Sequence, residues 1–288
     1  MIPAAFDYVA PTSVDGALQA LADAVGEGKD VKVLGGGQSL LAVMRMRLAA
    51  PELVVDLGRI GDLADIRDDG DAVVIGAMAT HDTVLRHELV RQHALLIALA
   101  TETVADPQVR HRGTFGGALV HADPAGDLPA PALALGCQMV IAGPGGARRT
   151  VDAADFFQDL FTTAVGEDEL LVQVRVPKHT GWGACYQKFN RISHAWAMCG
   201  AAVALRVEGG SIAEARVALT NMGSVPVRAT GVEAALVGQQ ATSDAVRMAC
   251  AAAGDGTTPP EDANADAEYR RHLAGVLTGR AVLAAAGV

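Results

Sequence analysis

Three consecutive glycines follow a β-branched run in the stretch VKVLGGGQSLL, residues 31–41, and the polar residues Gln38 and Ser39 come directly after them. Glycine has no Cβ and tolerates positive φ angles, so successive backbone N–H groups can face one ligand at close range. A concavity of this kind binds anions, phosphate above all. The stretch lacks the third glycine of G-x-G-x-x-G, since Leu40 stands there, and it lacks the Gly-Lys-Ser/Thr ending of a P-loop. Two interpretations therefore stay open, a phosphate-binding loop and a tight turn without a ligand.

A second small-residue loop occurs in RGTFGGALVHADPAGDLP, residues 112–129. Thr114, Gly116 and Gly117 again permit close backbone approach, here with a hydroxyl donor beside them. Two such loops can hold the two halves of a pyrophosphate. Asp127 stands at the start of a helical segment, where it is either a helix cap or a ligand of ribose hydroxyls, and its spacing favours the cap.

The composition excludes several classes of protein. The chain has 288 residues, 50% of them hydrophobic and only 4% aromatic, so it can build one large domain or two ordinary ones around small aliphatic side chains. Its formal net charge is -10 and it has no Lys/Arg-rich block, which argues against binding to nucleic acid or to an anionic membrane. Neither a signal peptide nor an apolar run of about 18 residues is visible. We therefore expect a cytoplasmic protein without a transmembrane segment.

The cysteines give no sign of a metal site. Cys137, Cys185, Cys199 and Cys250 lie far apart and form no C-x-x-C pair. An iron–sulfur or zinc site within this chain, or a disulfide framework, is therefore not expected. The simplest interpretation is a set of small buried thiols.

Hydrophobic periodicity predicts the elements that must position the two loops. The chain opens as strand, helix and strand, with the helix in TSVDGALQALADAV and the second strand in DVKVLGG, and PELVVDLGRI adds another strand. A hairpin is predicted around Asp69-Gly70. Residues 81–97 are predicted to be helical in two pieces. Residues 101–136 contain Asp-Pro pairs and glycines and regain helical character only near Leu128, and a loop this long is usually functional.

The character of the sequence changes near residue 178. Before it, CQMVIAGPGGARRTVDAADFF predicts two strands around a Gly-rich turn, and DELLVQVRVP predicts one more strand. After it, two strands are predicted around Gly209-Gly210, followed by three helix candidates with glycine at their ends. The predicted domains are an N-terminal domain at 1–177, with subdomains at about 1–60 and 61–177, and a C-terminal domain at 178–288.

Together, GGGQSLLAVMRMR and ADPQVRHRGTFGGALVHADPAGDLP resemble the flavin-binding medium subunit of the molybdenum hydroxylases, a family that includes aerobic carbon monoxide dehydrogenase and the flavin domain of xanthine dehydrogenase. DELLVQVRVP and YQKFNRISHAWAMCGAAVAL extend the resemblance over most of the chain. The resemblance implies an α+β fold, with a vanillyl-alcohol-oxidase-type FAD-binding domain of two subdomains and a smaller α/β C-terminal domain of the carbon monoxide dehydrogenase flavoprotein type. It does not imply a Rossmann fold.

The resemblance also implies which residues bind FAD, without a covalent bond. The two glycine loops would hold the pyrophosphate from opposite sides, Val104 would pack near the flavin, and Asp127 would bind the ribityl or adjoining hydroxyls. Leu171 would lie at the isoalloxazine edge, and Lys188 would reach the ring, where a cation stabilises the negative charge of reduced flavin. Without the resemblance, Lys188 would be interpreted as a solvated surface residue. The implied cofactor-binding residues are Val33, Leu34, Gly35, Gly36, Gly37, Gln38, Ser39, Leu40, Val104, Gly113, Thr114, Gly116, Gly117, Asp127, Leu171 and Lys188.

The sequence departs from the family pattern at three places. Ala118 stands where many members have Asn after the second Gly-Gly, Gln38 replaces a frequent His, and Phe115 replaces a frequent Ile. These changes leave backbone recognition intact but put side-chain contacts at the three positions in doubt.

The function implied by the resemblance is electron transfer within a three-component hydroxylase. Substrate would react at a molybdopterin cofactor in a large partner subunit, and electrons would cross two [2Fe-2S] clusters in a small partner to FAD in this chain and then reach an external acceptor. The complex would be a dimer of heterotrimers, cytoplasmic or associated with the inner face of the membrane. Two alternatives remain at this point: a stand-alone FAD-dependent oxidase or dehydrogenase, and a non-enzymatic scaffold whose glycine loops are only turns.

Overall fold

A computed structural model describes the whole chain, residues 1–288. The strands are β1 (Asp7–Val9), β2 (Val31–Leu34), β3 (Leu53–Asp56), β4 (Ile66–Asp69), β5 (Ala72–Gly76), β6 (Gln138–Ala142), β7 (Arg148–Asp152), β8 (Phe157–Asp159), β9 (Thr162–Thr163), β10 (Leu170–Pro177), β11 (Gly183–Phe189), β12 (Cys199–Glu208), β13 (Ser211–Thr220) and β14 (Val227–Arg228). The helices are α1 (Val14–Gly26), α2 (Leu40–Arg45), α3 (His81–Arg86), α4 (Glu88–His93), α5 (Leu95–Glu102), α6 (Pro107–Arg110), α7 (Phe115–His121), α8 (Pro129–Ala134), α9 (Ala153–Phe156), α10 (Thr230–Leu236), α11 (Ser243–Cys250) and α12 (Ala267–Ala286).

The strands form three main sheets in chain order. The first is small and parallel, with the order β1-β3-β2. The second has the order β4-β5-β10-β6-β7 and is antiparallel throughout. The third, β11-β12-β13-β14, is an antiparallel meander, and β8 and β9 form a separate small hairpin. This mixture of helix and strand confirms the predicted α+β class. The predicted division near residue 178 falls between β10, in the second sheet, and β11, in the third.

Local sequence signals account for most of these elements. The opening strand–helix–strand unit is confirmed, and α1 begins at Ser13, whose side chain accepts a hydrogen bond from Gly16 N–H at 3.1 Å. The hairpin around Asp69-Gly70 is confirmed, with Gly70 at φ +72°. The predicted strands before and after residue 178 and the three C-terminal helices are also present.

Two predictions about helices were wrong. The segment predicted as two helical pieces contains three helices, α3, α4 and α5, and the last continues to Glu102. The segment predicted to stay irregular until Leu128 contains α6 and α7. Asp106-Pro107 is a helix start and not a break, because the Asp106 carboxylate accepts from Val109 N–H at 2.9 Å and the proline occupies the first turn, where its missing N–H costs nothing.

The third sheet is covered on both faces by hydrophobic cores. These two cores position its strands against the N-terminal part of the chain on one face and the C-terminal helices on the other. Alternate side chains point to opposite faces of a strand. One face, through small residues such as Ala202, Ala204 and Ala218, joins the 33-residue core that also contains residues of α5 and α8. The other face joins a 20-residue core with α10, α11 and α12. Because alanines line the shared face, β11 and β12 approach α5 closely.

The cysteines and the helix lengths bear on two predictions, the absence of a metal site and the absence of a transmembrane segment. The four cysteines are all free, and three of them are buried. No helix combines the length and the apolar character needed to cross a membrane.

Candidate functional site

The first glycine loop, residues 35–40, presents a row of unused backbone donors. It connects the end of β2 to the start of α2, and none of its N–H groups donates to an acceptor in the chain. Gly37 has φ +75°, a conformation that glycine adopts without strain. The Gln38 side chain turns inward and donates from Nε2 to the Gly36 carbonyl at 3.1 Å, whereas the Ser39 side chain makes no capping bond. The loop therefore contains backbone donors that the chain itself leaves without acceptors.

The first loop packs directly against the segment that begins the second. A Cβ on Gly36 would lie 1.9 Å from the Arg112 carbonyl oxygen and 2.7 Å from the Gly113 Cα. A Cβ on Gly35 would lie 3.0 Å from Thr114 Oγ1. Only glycine permits this backbone contact, so the structure brings together the two loops that the sequence singled out.

The second glycine loop, residues 113–118, is held by hydrogen bonds within itself and to the segment that follows β5. Thr114 caps α7 by accepting from Gly117 N–H at 3.2 Å, and the N–H groups of Phe115 and Gly116 donate to backbone carbonyls of residues 79 and 77. A Cβ on Gly116 would lie 2.6 Å from the Ala77 Cβ, so this glycine serves packing. Gly117 is exposed, and the Thr114 N–H has no acceptor in the chain. The exposed residue of this loop is therefore Gly117, whereas Thr114 is only 4% exposed and contributes one N–H without an acceptor.

The departures from the family pattern have different structural consequences. Phe115 is completely buried in the main core, where a larger ring replaces the frequent Ile. Ala118 is half-buried and packs against the same core. Gln38 closes its own loop, as described above. Phe115 and Ala118 have no polar side-chain atoms, and Gln38 uses one of its two amide hydrogens within its own loop.

Beneath the second loop lies a buried histidine. His81 is 4% exposed, its backbone N–H donates to the Gly113 carbonyl at 2.9 Å, and its Nδ1 has no hydrogen-bond partner. A Cβ on Gly113 would meet the His81 ring at 2.7 Å. Burial, with a smaller effect of the Arg110 charge, lowers the pKa of His81 to about 4. A neutral imidazole ring thus supports the loop from below.

Asp127 and Lys188 form a buried ion pair. Lys188 Nζ lies 2.8 Å from Asp127 Oδ2, and the side chains are 7% and 4% exposed. Lys188 also donates to the Thr103 carbonyl at 3.1 Å. Burial raises the pKa of the Asp127 carboxyl, and the charge and hydrogen bond of Lys188 oppose that shift. The interpretation of Lys188 as a solvated surface residue is therefore wrong.

Asp127 is not a helix cap, contrary to the reading that its spacing favours. The N-cap of α8 is Leu128, which makes no side-chain cap bond. A cap side chain accepts from the N–H of the second or third helical residue, and the third, Pro131, has none, so this helix start offers little for Asp127 to cap. Its carboxylate instead crosses to β11, where it meets Lys188.

A cavity of about 310 Å³ opens beside this ion pair, between the end of α5 and the segment after β11. Its wall is almost entirely polar. The lining includes Glu102, Thr103, Arg110, Lys188, Asn190 and His194. Lys188 thus connects a buried carboxylate on one side to an open polar space on the other.

The remaining two predicted site residues are less accessible. Val104 is half-buried against the main core, and its carbonyl accepts from Arg110 Nη1 at 2.9 Å, so it lies beside the cavity wall. Leu171 is 4% exposed in β10, next to a register shift between Leu171 and Gln173. The structure brings Val104 close to the Lys188 region, whereas Leu171 belongs to the core of the second sheet.

Comparison with known proteins identifies the family. Residues 4–179 match the model described as FAD binding domain in molybdopterin dehydrogenase, and residues 184–285 match the CO dehydrogenase flavoprotein C-terminal domain. The chain belongs to this flavoprotein family. The confirmed fold is thus the FAD-binding domain followed by the flavoprotein C-terminal domain that the resemblance implied.

Individual flavoprotein relatives match over nearly their whole length. The chain is 41% identical to the carbon monoxide dehydrogenase medium chain of Hydrogenophaga pseudoflava, over 99% of this chain and 98% of that one. It is 35% identical to the caffeine dehydrogenase subunit beta of Pseudomonas sp. strain CBB1, over 99% and 96%. A solved structure of the Hydrogenophaga pseudoflava carbon monoxide dehydrogenase, in a form lacking the Mo-pyranopterin moiety of the molybdenum cofactor, superimposes with a TM-score of 0.94 at 42% identity, covering 99% of this chain and 98% of that one. The chain is accordingly a medium, FAD-type subunit of the molybdenum hydroxylase family.

Sequence reasoning missed two buried residues beside the Asp127–Lys188 ion pair. The Tyr186 hydroxyl lies 3.0 Å from Asp127 Oδ1 and 3.1 Å from Thr220 Oγ1, and all three groups are buried. Tyr186 stands two positions before Lys188 on β11, so the alternation of a strand places both on the face toward Asp127. That two-residue spacing could have identified Tyr186 from the sequence. No sequence pattern identifies Thr220.

Proposed function

We propose that this chain is the FAD-binding electron-transfer subunit of a molybdenum hydroxylase, taking electrons from [2Fe-2S] clusters of a small partner subunit and passing them to an external acceptor. The observation that carries the proposal is the row of backbone N–H groups without acceptors in residues 35–40, in a loop that packs against residues 112–114 at the start of the second glycine loop. A phosphate ester is the ligand that such a row of donors recognises.

The residues present fit FAD. The first glycine loop and the Thr114 N–H supply backbone donors for a pyrophosphate. Lys188 has three ammonium protons, of which the chain uses two, so one remains for a ligand atom in the cavity. When bound, FAD supplies the redox chemistry, because a flavin can take up and release electrons. Lys188 stabilises negative charge at that place.

The partner subunits are proposed from the relatives. A medium chain and a subunit beta are named parts of larger enzymes, and one solved relative is described by its molybdenum cofactor. This chain has no group of three His, Cys, Asp or Glu side chains arranged to hold a metal ion. We assign molybdopterin to a large partner and the [2Fe-2S] clusters to a small one, in a cytoplasmic dimer of heterotrimers.

The substrate of the complex does not contact this chain in the proposed arrangement. The two relatives named above are subunits of enzymes named for carbon monoxide and for caffeine, two chemically unrelated molecules. The medium chain therefore carries the shared electron-transfer task, and substrate choice belongs to the large subunit.

The proposal is tested by purifying the chain from its own cells without denaturation. We expect it to elute in equal amounts with a larger molybdopterin-containing chain and a smaller [2Fe-2S] chain, with one FAD per copy. In the anaerobic complex, the enzyme's substrate should bleach the visible absorbance of the flavin, because reduction removes the oxidised form. A chain that elutes alone and turns over an organic substrate would instead be a stand-alone flavin oxidase or dehydrogenase.

A further inference from the structure

A directed chain of hydrogen bonds leads from β13 to Lys188. An ionised Asp127 can only accept, so the Tyr186 hydroxyl must donate to Asp127 Oδ1, 3.0 Å away. The Thr220 hydroxyl, 3.1 Å from the Tyr186 oxygen, must then donate to Tyr186. Lys188 donates to the other carboxylate oxygen, Oδ2, at 2.8 Å. Each oxygen of Asp127 therefore has its own fixed donor.

From this chain we infer that Tyr186 and Thr220 are positioning residues for Lys188. Tyr186 orients the Asp127 carboxylate, and Asp127 and the Thr103 carbonyl together hold two ammonium protons of Lys188. The third proton is thereby directed to the cavity that Lys188 lines. The inference deepens the proposed function, since it rests on FAD occupying that cavity.

The surroundings favour a permanent arrangement. Tyr186 and Asp127 are 7% and 5% exposed, so neither group can exchange its partner for water without opening the core. Burial raises the pKa of Tyr186 well above its ordinary value, which keeps it a hydrogen-bond donor. The hydrogen bond from Tyr186 lowers the pKa of Asp127 against the effect of burial and of Asp123. The other charged or titratable groups on the cavity wall are Glu102, Arg110 and His194.

The end of β13 also ties the segment around Asp127 to the third sheet. Asn221, which follows Thr220, donates its backbone N–H to the Pro124 carbonyl at 2.8 Å. Its Nδ2 donates to the Ala197 carbonyl at 2.7 Å. The contact through Thr220 is thus one of a set that fixes β13 against the loop carrying Asp127, and loss of a single hydroxyl should leave the domains together.

The first test needs no cofactor. The chain has only four lysines, and Lys29, Lys32 and Lys178 form ion pairs at the surface. In a sample labelled with 15N at lysine, the Lys188 ammonium, with a side chain 7% exposed against 18% for Lys178, should give the signal most protected from exchange with water, and Lys188→Met should remove it. Tyr186→Phe should speed its exchange about tenfold or more, as expected from a lost hydrogen bond to a charged group. An unchanged exchange rate in Tyr186→Phe would overturn the inference.

The second test uses the FAD-loaded chain. Tyr186→Phe should reduce the preference for reduced over oxidised FAD about tenfold, which lowers the two-electron midpoint potential by about 30 mV. Thr220→Val should shift it the same way by a smaller amount, and Lys188→Met by a larger one. Tyr269→Phe is the matched control, because this exposed tyrosine of α12 lies outside the hydrogen-bond chain.

The outcomes of the second test separate the two proposals. A purely structural tyrosine would lower the melting temperature in Tyr186→Phe but leave the potential equal to that of the wild type, which refutes positioning. If the wild-type chain binds no FAD, the proposed function fails, and the exchange experiment alone decides the role of Tyr186. If Lys188→Met leaves the potential unchanged, the lysine does not act on the flavin and the inference falls with it.

Discussion

The contact between the two glycine loops leads to a sharp prediction for Gly36→Ala. The new Cβ would lie 1.9 Å from the Arg112 carbonyl oxygen, 2.6 Å from its carbonyl carbon and 2.7 Å from the Gly113 Cα. All three are backbone atoms, so no side chain can rotate away. Since non-bonded heavy atoms sit about 3.5 Å apart, the loops must separate by more than about 1 Å. The donors of the first loop then lie farther from Thr114.

The cost of this separation can be bounded. Overpacking of a tight site costs about 1 to 3 kcal/mol. Because about 1.4 kcal/mol corresponds to a tenfold change in an equilibrium constant, we expect the dissociation constant for FAD to rise by about fivefold to about 140-fold if the cost falls on the bound arrangement of the loops. Isothermal titration of FAD into the purified variant measures this directly, and urea unfolding of the same sample measures the effect on the fold.

Gly26→Ala is the matched control. Gly26 ends α1 and has no atom within 4 Å of the position of an added Cβ. That variant should bind FAD like the wild type and be equally stable or slightly more so, because alanine restricts the unfolded chain. Our reasoning would be refuted if Gly36→Ala lost stability but kept wild-type affinity for FAD, since the glycine would then serve only the turn.

Two further predictions concern buried titratable groups. Lys188→Met should lower the free energy of unfolding by about 3 kcal/mol at pH 7, because it leaves Asp127 buried and unpaired. This loss of stability should be smaller at pH 5, where the Asp127 carboxyl can take up a proton. An equal loss at both pH values would contradict the pairing. The pKa of His81 is lowered from 6.5 to about 4, so the folded state resists protonation. Because the unfolded chain takes up this proton more readily, the free energy of unfolding is unaffected above pH 6.5 and decreases as the pH falls from 6.5 toward 4, by about 3 kcal/mol in total. His81→Phe should flatten that part of the stability profile, measured by urea unfolding from pH 4 to pH 7, whereas the exposed His272→Gln should not; equal profiles for His81→Phe and the wild type would show that another group is responsible.

Short-range patterns predicted most of the secondary structure. The Asp69-Gly70 hairpin and the strands on either side of residue 178 follow from alternation and turn residues within a few positions. The errors arose where the same residues have two meanings. Asp106-Pro107 reads as a break but starts a helix, and Thr114 precedes two glycines yet caps α7. The same residue types occur in loops and at helix starts. The two are distinguished only by which backbone N–H donates to the side chain.

The candidate site was predictable in its loops but not in its buried polar contacts. Consecutive glycines indicate a place where two backbones can approach closely, and Gly36 packs against the backbone of residues 112 and 113 in this way. The partner of Asp127, by contrast, stands 61 positions away at Lys188, and Tyr186 is 34 positions from Thr220. Such pairs depend on how β11 and β13 are placed by the third sheet, and no local periodicity encodes that placement. The burial of Lys188, which composition alone would call solvated, has the same origin.

The central claim is that the two glycine loops form one FAD site, and a titration of the purified, cofactor-stripped chain with FAD tests it most directly. We predict saturable binding of one FAD per chain, quenching or shift of the flavin fluorescence, and a yellow protein after gel filtration. Binding should be weakened by Gly36→Ala and retained by Gly26→Ala. A chain that stays colourless and gives no heat or fluorescence change with FAD would contradict the account.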